Sequence, residues 1–145
     1  MEKSMGSPNG AEISSFLGID YGKSKIGLAT ADSETRMAFA FDTLANDKYF
    51  LENLKGIVFC ENVKEIIIGM TRHGNDPESV DEKMKFAENI KKELNLPVNF
   101  QDEMFSTKIA RENIKKRGGR NIDQFDDQEA ARIILQEWLD KTHKS

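Results

Sequence analysis

Three consecutive isoleucines, Ile66, Ile67 and Ile68, constrain the fold of this chain more than any other feature. A β-branched run of this length favours a strand. Because neighbouring side chains of a strand point to opposite faces, this strand must be buried on both sides. Such strands are typical of parallel sheets that carry helices on each face. We therefore predict an α/β fold with a central strand over residues 65 to 69.

The rest of the chain alternates between strand and helix patterns. Two apolar runs, at residues 16 to 21 and 26 to 31, flank a polar turn and predict a β-hairpin, and residues 39 to 41 predict a third strand. Apolar periodicity predicts the remaining elements: helices over 48 to 62, 79 to 94, 107 to 116 and 126 to 141, and a strand from 97 to 103. This order predicts an α/β fold: a mixed five-stranded sheet, three antiparallel strands then parallel, with flanking helices.

The composition fits one globular domain. The 145 residues are 38% hydrophobic and 32% charged, and no apolar run reaches the ~18–20 residues of a membrane span. We interpret residues 1 to 15 as a disordered leader without a secretory pattern, and residues 16 to 145 as the domain. The single cysteine, Cys60, is expected in the core and cannot form an internal disulfide. These observations predict a cytoplasmic protein with no membrane partner.

Three carboxylates occupy positions that suit a shared site. Asp20 lies inside an otherwise apolar strand, where an acid is unfavourable, and Asp102 and Glu103 end the fifth strand, where α/β sheets place ligands. Asp127 is in register with the apolar stripe of the last helix, so we expect it in the first turn, facing the sheet. Each acid alone has a simpler explanation: turn hydrogen bonds, a solvated turn, or helix capping.

Acids that converge from a first strand, a late strand and a last helix would repel one another unless a cation neutralised them. Mg²⁺ is the natural candidate, because it is a hard ion bound by carboxylates, water and phosphate oxygens. Two such ions about 4 Å apart activate a water and stabilise the leaving oxygen in phosphodiester cleavage. The spacing of the acids permits such a site.

Several segments together resemble one known family. The similarity runs in order from Phe16 to Asp140 and rests on these pieces: Leu17-Gly18-Ile19-Asp20-Tyr21-Gly22, Ile26-Gly27-Leu28-Ala29, Ile66-Ile67-Ile68-Gly69-Met70, Lys85-Phe86-Ala87, Leu96-Pro97-Val98, Asp102-Glu103 with Ser106-Thr107, and Asp127-Gln128-Glu129-Ala130-Ala131 with Ile134-Leu135-Gln136. In this combination the chain resembles the YqgF family. Its members are RNase H-like proteins described as Holliday junction resolvase-like and as candidate pre-16S rRNA nucleases.

The resemblance implies an RNase H-like fold and an acidic triad of Asp20, Glu103 and Asp127 that binds Mg²⁺ or Mn²⁺. It implies a nuclease for the 5′ end of pre-16S rRNA, with pre-ribosomal particles as partners, or a resolvase of branched DNA. The sequence departs from the family pattern at three places. Met104 and Lys25 stand where arginine is usual, and Met70-Thr71-Arg72-His73-Gly74 replaces a Pro-containing loop. Lysine cannot reproduce the bidentate phosphate contact of arginine.

The charge distribution also bears on a nucleic-acid partner. The net charge is −4, but the segment from Lys108 to Arg120 carries +5, which leaves −9 for the remainder. A basic segment between Glu103 and Asp127 is well placed to hold a phosphate backbone, although such a run is often only a solvated helix face. The candidate nucleic-acid-binding residues, for structured RNA or branched DNA, are Lys25, Arg72, Lys108, Arg111, Lys115, Lys116, Arg117 and Arg120.

Two other functions are compatible with parts of the sequence. Residues 18 to 22 are similar to the phosphate loop of actin-like and sugar-kinase ATPases, but those enzymes need two such halves, which 145 residues cannot supply. A non-catalytic RNase H-like module that binds RNA or protein stays open, favoured by Met104 and disfavoured by the acidic triad. The sequence is compatible with a monomer or a homodimer.

Overall fold

Five strands form one mixed sheet in the spatial order β3-β2-β1-β4-β5. The structure is a computed structural model that describes residues 13 to 70, 77 to 102 and 122 to 142. The strands are β1 (Ser15–Asp20), β2 (Lys25–Asp32), β3 (Phe39–Ala45), β4 (Val63–Met70) and β5 (Val98–Asp102). The first three pair in antiparallel fashion, whereas β4 lies parallel to both β1 and β5. The predicted mixed sheet is confirmed.

Three described helices cover the two faces of the sheet: α1 (Phe50–Cys60), α2 (Pro77–Leu94) and α3 (Ile122–Thr142). On one face, Leu54 of α1 and Ile90 of α2 are fully buried in a cluster with Ile66 and Ile68. On the other face, Ile67 packs in a second cluster with α3. The isoleucine run of β4 therefore supplies side chains to both cores, as a strand covered on both sides requires.

Helix α3 lies close to the sheet because a glycine stands beneath it. A Cβ atom placed on Gly18 would lie 2.7 Å from the Cβ atom of Leu135 and 2.9 Å from the carbonyl oxygen of Ala131. No side chain could occupy that position without moving the helix. Ala131 and Leu135 are themselves fully buried, so the contact belongs to the core of this face.

The C-terminal half of α3 is also fixed by the turn between β2 and β3. The side chain of Gln136 accepts a hydrogen bond from the backbone of Ala38 (2.8 Å) and donates one to the carbonyl of Arg36 (3.2 Å). The guanidinium of Arg36 donates to the carbonyl of Leu139 (3.2 Å) and to the hydroxyl of Thr142 (3.1 Å). These bonds set the position of α3 along the sheet.

Two details of the sequence interpretation differ from the structure. Helix α3 begins at Ile122, four residues before the predicted start. Cys60 is exposed, because it is the last residue of α1 and the buried side of that helix is formed by Phe50 and Leu54. The helix predicted over residues 107 to 116 lies outside the described residues. None of the described helices is long and apolar enough to span a membrane.

Candidate active site

Asp20 is the last residue of β1, and its side chain is buried on the face covered by α3. Only 4% of its surface is exposed. Side chains alternate along β1, so Phe16, Gly18 and Asp20 share one face while Leu17 and Ile19 point into the opposite core. Burial of a carboxylate is costly unless a charged or hydrogen-bonding partner compensates. Because aspartate is seldom buried to this extent, Asp20 is a candidate site residue.

Asp20 is the middle member of a row of residues that crosses the sheet on this face. Its partner on β2 is Gly27, and the partner of Gly27 on β3 is Thr43. On the other side, Ile19 pairs with Ile68, so the next residues in register are Asp20 and Gly69. Gly69 in turn pairs with Gln101 on β5. In this row, Gly27 separates Thr43 from Asp20, and Gly69 separates Asp20 from Gln101.

Helix α3 brings Asp127 onto this row. A Cβ atom on Gly27 would lie 2.8 Å from the Cβ atom of Asp127 and closer still to the carbonyl group of Asp127. Because Gly27 is the direct neighbour of Asp20, both predicted site acids lie next to the same glycine, at the carboxyl end of β1. Asp127 is the sixth residue of α3 and so lies in its second turn, not in the first turn as predicted. Capping of the helix therefore does not explain this acid.

The next residue of the helix anchors it to the edge strand. The amide of Gln128 donates a hydrogen bond of 3.1 Å to the hydroxyl of Thr43. Thr43 is the β3 member of the row that contains Asp20. This pair was not predicted, because nothing in the local pattern of either residue indicates a contact between positions so distant in the chain.

Gln101 is a second buried polar group that the sequence analysis did not single out. It is 4% exposed, and its Oε1 atom is buried without a hydrogen-bond partner among the described residues. Its Nε2 atom donates to the carbonyl oxygen of Asp102 at 3.4 Å. The signal in the sequence was alternation along β5, which places Gln101 on the same face as Asp20.

The structure describes one of the two acids at the end of β5. Asp102 is the last described residue of the strand and pairs with Met70. It alternates with Val98 and Phe100, which pack into the core beneath α1 and α2. Glu103, the third acid of the predicted triad, lies outside the described residues. Its part in the site stays a prediction.

The turn that follows Asp20 is held by contacts on both sides. The Tyr21 ring packs on that of Phe86 at a centroid distance of 4.5 Å, on the face opposite Asp20. Asn46 donates from its side chain to the carbonyl of Gly22 (2.7 Å) and from its backbone to the carbonyl of Ser24 (2.9 Å). A Cβ atom on Gly22 would lie 2.5 Å from the carbonyl oxygen of Lys25. Glycine is thus required for this turn.

Among the predicted nucleic-acid-binding residues, Lys25 is the one that the structure describes. It opens β2, is exposed, and lies at the end of the sheet that carries Asp20. The others lie outside the described residues: Arg72, Lys108, Arg111, Lys115, Lys116, Arg117 and Arg120. Their proximity to the site stays a prediction.

The oxygen atoms near the end of β1 are suitable ligands for a hard divalent cation. Asp20, Gln101 and Asp127 offer carboxylate and amide oxygens, the donors that Mg²⁺ and Mn²⁺ prefer. The single thiol, Cys60, is exposed at the end of α1. Within the described ranges no three His, Cys, Asp or Glu residues form a metal-binding group, and the predicted third acid, Glu103, lies outside those ranges.

Solved structures with the same architecture place the chain in a structural class. It superposes on RuvC of T. thermophilus in complex with a Holliday junction substrate with a TM-score of 0.58 and 14% identity, covering 86% of this chain and 93% of that one. The Fowlpox virus resolvase with Holliday junction DNA gives a TM-score of 0.56 and 12% identity, covering 90% and 99%. The fold is therefore RNase H-like, as the resemblance implied.

Sequence comparison then identifies the family within this class. Residues 14–141 match the sequence model of the RuvX family, described as Holliday junction resolvase. The chain belongs to this family, which is the YqgF family indicated by the motifs. Several relatives described as candidate pre-16S rRNA nucleases share about a third of its residues.

Three of these relatives illustrate the similarity. One from Rickettsia akari (strain Hartford) is 36% identical over 133 residues, covering 88% of this chain and 86% of the relative. One from Nitratidesulfovibrio vulgaris (strain DP4) is 35% identical over 131 residues, with coverage of 86% and 92%. One from Synechocystis sp. (strain ATCC 27184 / PCC 6803 / Kazusa) is 32% identical over 132 residues, with coverage of 86% of each.

Proposed function

We propose that this chain is a Mg²⁺- or Mn²⁺-dependent endonuclease that acts in the cytoplasm on the 5′ end of pre-16S rRNA. The observation that carries the proposal is the contact of Asp127 with Gly27, the strand neighbour of Asp20, at the end of a central strand. Two acids from separate elements, one of them buried, would supply carboxylate ligands to a divalent cation. Relatives described as candidate pre-16S rRNA nucleases support the choice of substrate.

The residues that would hold the metal are Asp20, Asp127 and Glu103. When bound, the metal would activate water and stabilise charge at the phosphate in phosphodiester hydrolysis. The chain contributes the positions of its ligands: Gly27 allows the backbone of Asp127 to approach the sheet, and the bond from Gln128 to Thr43 keeps that turn of α3 in place. Burial of Asp20 fixes the orientation of its carboxylate and strengthens its interaction with a cation.

The basic residues would bind the backbone of the nucleic acid. Lys25 is exposed at the same end of the sheet as Asp20, and the segment from Lys108 to Arg120 carries a charge of +5. Phosphate contacts of this kind hold structured RNA in register but do not select its sequence. Pre-ribosomal particles are the corresponding partner, and the chain would act as a monomer or a homodimer.

Cleavage of a four-way DNA junction is the second candidate function. The description of the family as Holliday junction resolvase favours it, as do two structures of similar fold that contain such junctions. A third candidate is a non-catalytic module that binds nucleic acid or protein, which Met104 favours because methionine cannot hold a phosphate.

Cleavage assays with two substrates distinguish these functions. A precursor 16S rRNA and a four-way DNA junction are incubated with the protein and Mg²⁺ or Mn²⁺, with and without a chelator. We expect the RNA to be cut near its 5′ end in a reaction that the chelator stops. Preferential cleavage of the junction would support the resolvase instead. Cleavage of neither substrate, with binding retained, would support the non-catalytic module.

Variants of α3 link the activity to the candidate site. Asp127→Asn should abolish cleavage, because it removes a carboxylate from the metal site. The control is Asp140→Asn, the same change on the same helix, at a residue whose carboxylate accepts a hydrogen bond from Gln136 (3.0 Å). That variant should cut the RNA at the wild-type rate. Equal activity of both variants would contradict the proposed site.

A further inference from the structure

We propose that Gln101 is a positioning residue of the metal site, with its Oε1 atom accepting a hydrogen bond from a water in the hydration shell of the cation. The proposal rests on the proposed function, since it assigns a role at the same site. This role is inferred from a buried polar atom. The side chain of Gln101 is 4% exposed, yet its buried Oε1 atom has no partner among the described residues.

A buried acceptor without a donor destabilises a folded protein, because it has lost its bonds to water and gained none in return. Glutamine is also a poor choice for the interior of a strand whose neighbours Val98 and Phe100 pack into a core. An apolar side chain of similar size would remove the conflict. The carboxamide is therefore best explained by a donor that arrives with a ligand.

The position of Gln101 in the sheet indicates which ligand. Gln101 pairs with Gly69, and Gly69 is next in register to Asp20. Two strand spacings of about 4.8 Å separate Asp20 from Gln101. Because Gly69 has no side chain, β4 itself places nothing between the carboxylate of Asp20 and the carboxamide of Gln101. Both side chains lie on the face that α3 covers with Asp127.

The chemistry of a hydrated divalent cation matches an unpaired amide oxygen. Mg²⁺ keeps several of its waters when it binds to proteins, and each water needs acceptors for its protons. Outer-shell acceptors of this type orient the first shell of ligands and tune the affinity for the metal. An amide oxygen does so without adding a further negative charge beside Asp20 and Asp127.

Two variants of Gln101 separate this role from simple packing. Gln101→Met keeps the length of the side chain but removes the acceptor, and Gln101→Glu replaces it with a carboxylate. We expect Gln101→Met to weaken the affinity for Mn²⁺, measured by calorimetry, by roughly 10–100-fold. The thermal midpoint of the metal-free variant should be unchanged or higher than that of the wild type. Gln101→Glu should bind Mn²⁺ more tightly than the wild type.

The matched control is Asn99→Leu. Asn99 lies on the same strand and the same face, but its amide donates a hydrogen bond to the carboxylate of Glu65. Loss of that bond should lower the thermal midpoint and leave the affinity for Mn²⁺ unchanged. If Gln101→Met weakened the affinity for Mn²⁺ only by destabilising β5, Asn99→Leu would weaken that affinity as well.

The outcomes distinguish this proposal from the proposed function. If the wild type binds Mn²⁺, Asp20→Asn does not, and both Gln101 variants bind it with wild-type affinity, the role of Gln101 is overturned while the metal site stands. If the wild type binds no Mn²⁺ and cleaves no substrate, the proposed function fails and the role of Gln101 fails with it. Weaker binding by Gln101→Met together with tighter binding by Gln101→Glu supports the proposal, even where cleavage is unaffected.

Discussion

The backbone of Asp127 rests directly on Gly27, with 2.8 Å between the Cβ atom of Asp127 and the position that a Cβ atom of residue 27 would occupy. Gly27 is also the antiparallel partner of Asp20. The glycine therefore lies next to both acids: Asp20 is beside it in the sheet, and Asp127 is above it on α3. The absence of a side chain at residue 27 is a condition for the site.

The first prediction concerns this contact. Gly27→Ala should destabilise the protein by about 1–3 kcal/mol, because the new methyl group overlaps the backbone of Asp127 and must displace α3. It should also slow cleavage, since the displacement moves Asp127 away from Asp20. Urea unfolding and a cleavage assay at saturating metal measure the two effects.

The matched control for that variant is Gly56→Ala. A Cβ atom on Gly56 would meet nothing within 4 Å, and this glycine lies within α1. Alanine should therefore stabilise the protein by roughly 0.5–1 kcal/mol, as expected for an open helical position. If Gly27→Ala proves as well tolerated as Gly56→Ala, the close approach of α3 to β2 is not as described.

The second prediction concerns the bond between Gln128 and Thr43, of 3.1 Å. Gln128→Met and Thr43→Val should each lower the free energy of unfolding. The double variant should lose less than the sum of the two, with a coupling of about 0.5–1.5 kcal/mol. A double-mutant cycle from urea unfolding gives the coupling. Strict additivity would show that this bond does not help to hold α3 on the edge strand.

The third prediction concerns the response of stability to metal. A ligand that binds the folded state alone stabilises it, by about 2.7 kcal/mol when its concentration is 100 times its dissociation constant. Mg²⁺ should therefore raise the unfolding free energy of the wild type and of Asp140→Asn, and not that of Asp127→Asn. Unfolding curves with and without Mg²⁺ test this. An equal gain in all three proteins would place the cation elsewhere.

The fourth prediction concerns acid stability at the other end of the sheet. The backbone N–H groups of Thr35 (2.7 Å) and Glu34 (2.9 Å) donate to the carboxylate of Asp32 and lower its pKa, the bond from Thr35 most. A lowered pKa in the folded state stabilises the protein fully above the ordinary value of about 3.9. That contribution disappears as the pH falls through the lowered pKa.

Asp32→Asn tests this dependence. The wild type should be more stable than Asp32→Asn at pH 7, and the difference should shrink as the pH falls below about 3.9. Urea unfolding at a series of pH values measures the difference. A difference that stays constant down to the lowest pH would show that the Asp32 carboxylate does not carry the effect.

The sequence predicted the sheet well because its signals are local. The isoleucine run of β4 required two covered faces, and Ile66 and Ile67 do lie in different cores. The acid in β1 was also detectable from the sequence, since an aspartate inside an apolar strand is unfavourable. Both features depend on residues that are adjacent in the chain.

The features that the sequence did not predict depend on contacts between residues that are far apart in the chain. The start of α3 was placed too late, and Cys60 was wrongly predicted to be buried. Apolar spacing shows which face of a helix packs on the sheet, but it does not show where the helix extends beyond the core. The bond from Gln128 to Thr43 and the isolated oxygen of Gln101 follow from the register of the sheet. A single sequence does not contain that register.

The most direct test of this account is the rate at which Asp20→Asn cleaves precursor 16S rRNA at saturating Mg²⁺, with folding checked by its unfolding curve. The account predicts a folded protein whose rate falls by more than the roughly 10–100-fold expected when an outer-shell partner of a metal is lost. Cleavage by Asp20→Asn at or near the wild-type rate would contradict it, because the buried carboxylate at the end of β1 would then have no part in the reaction.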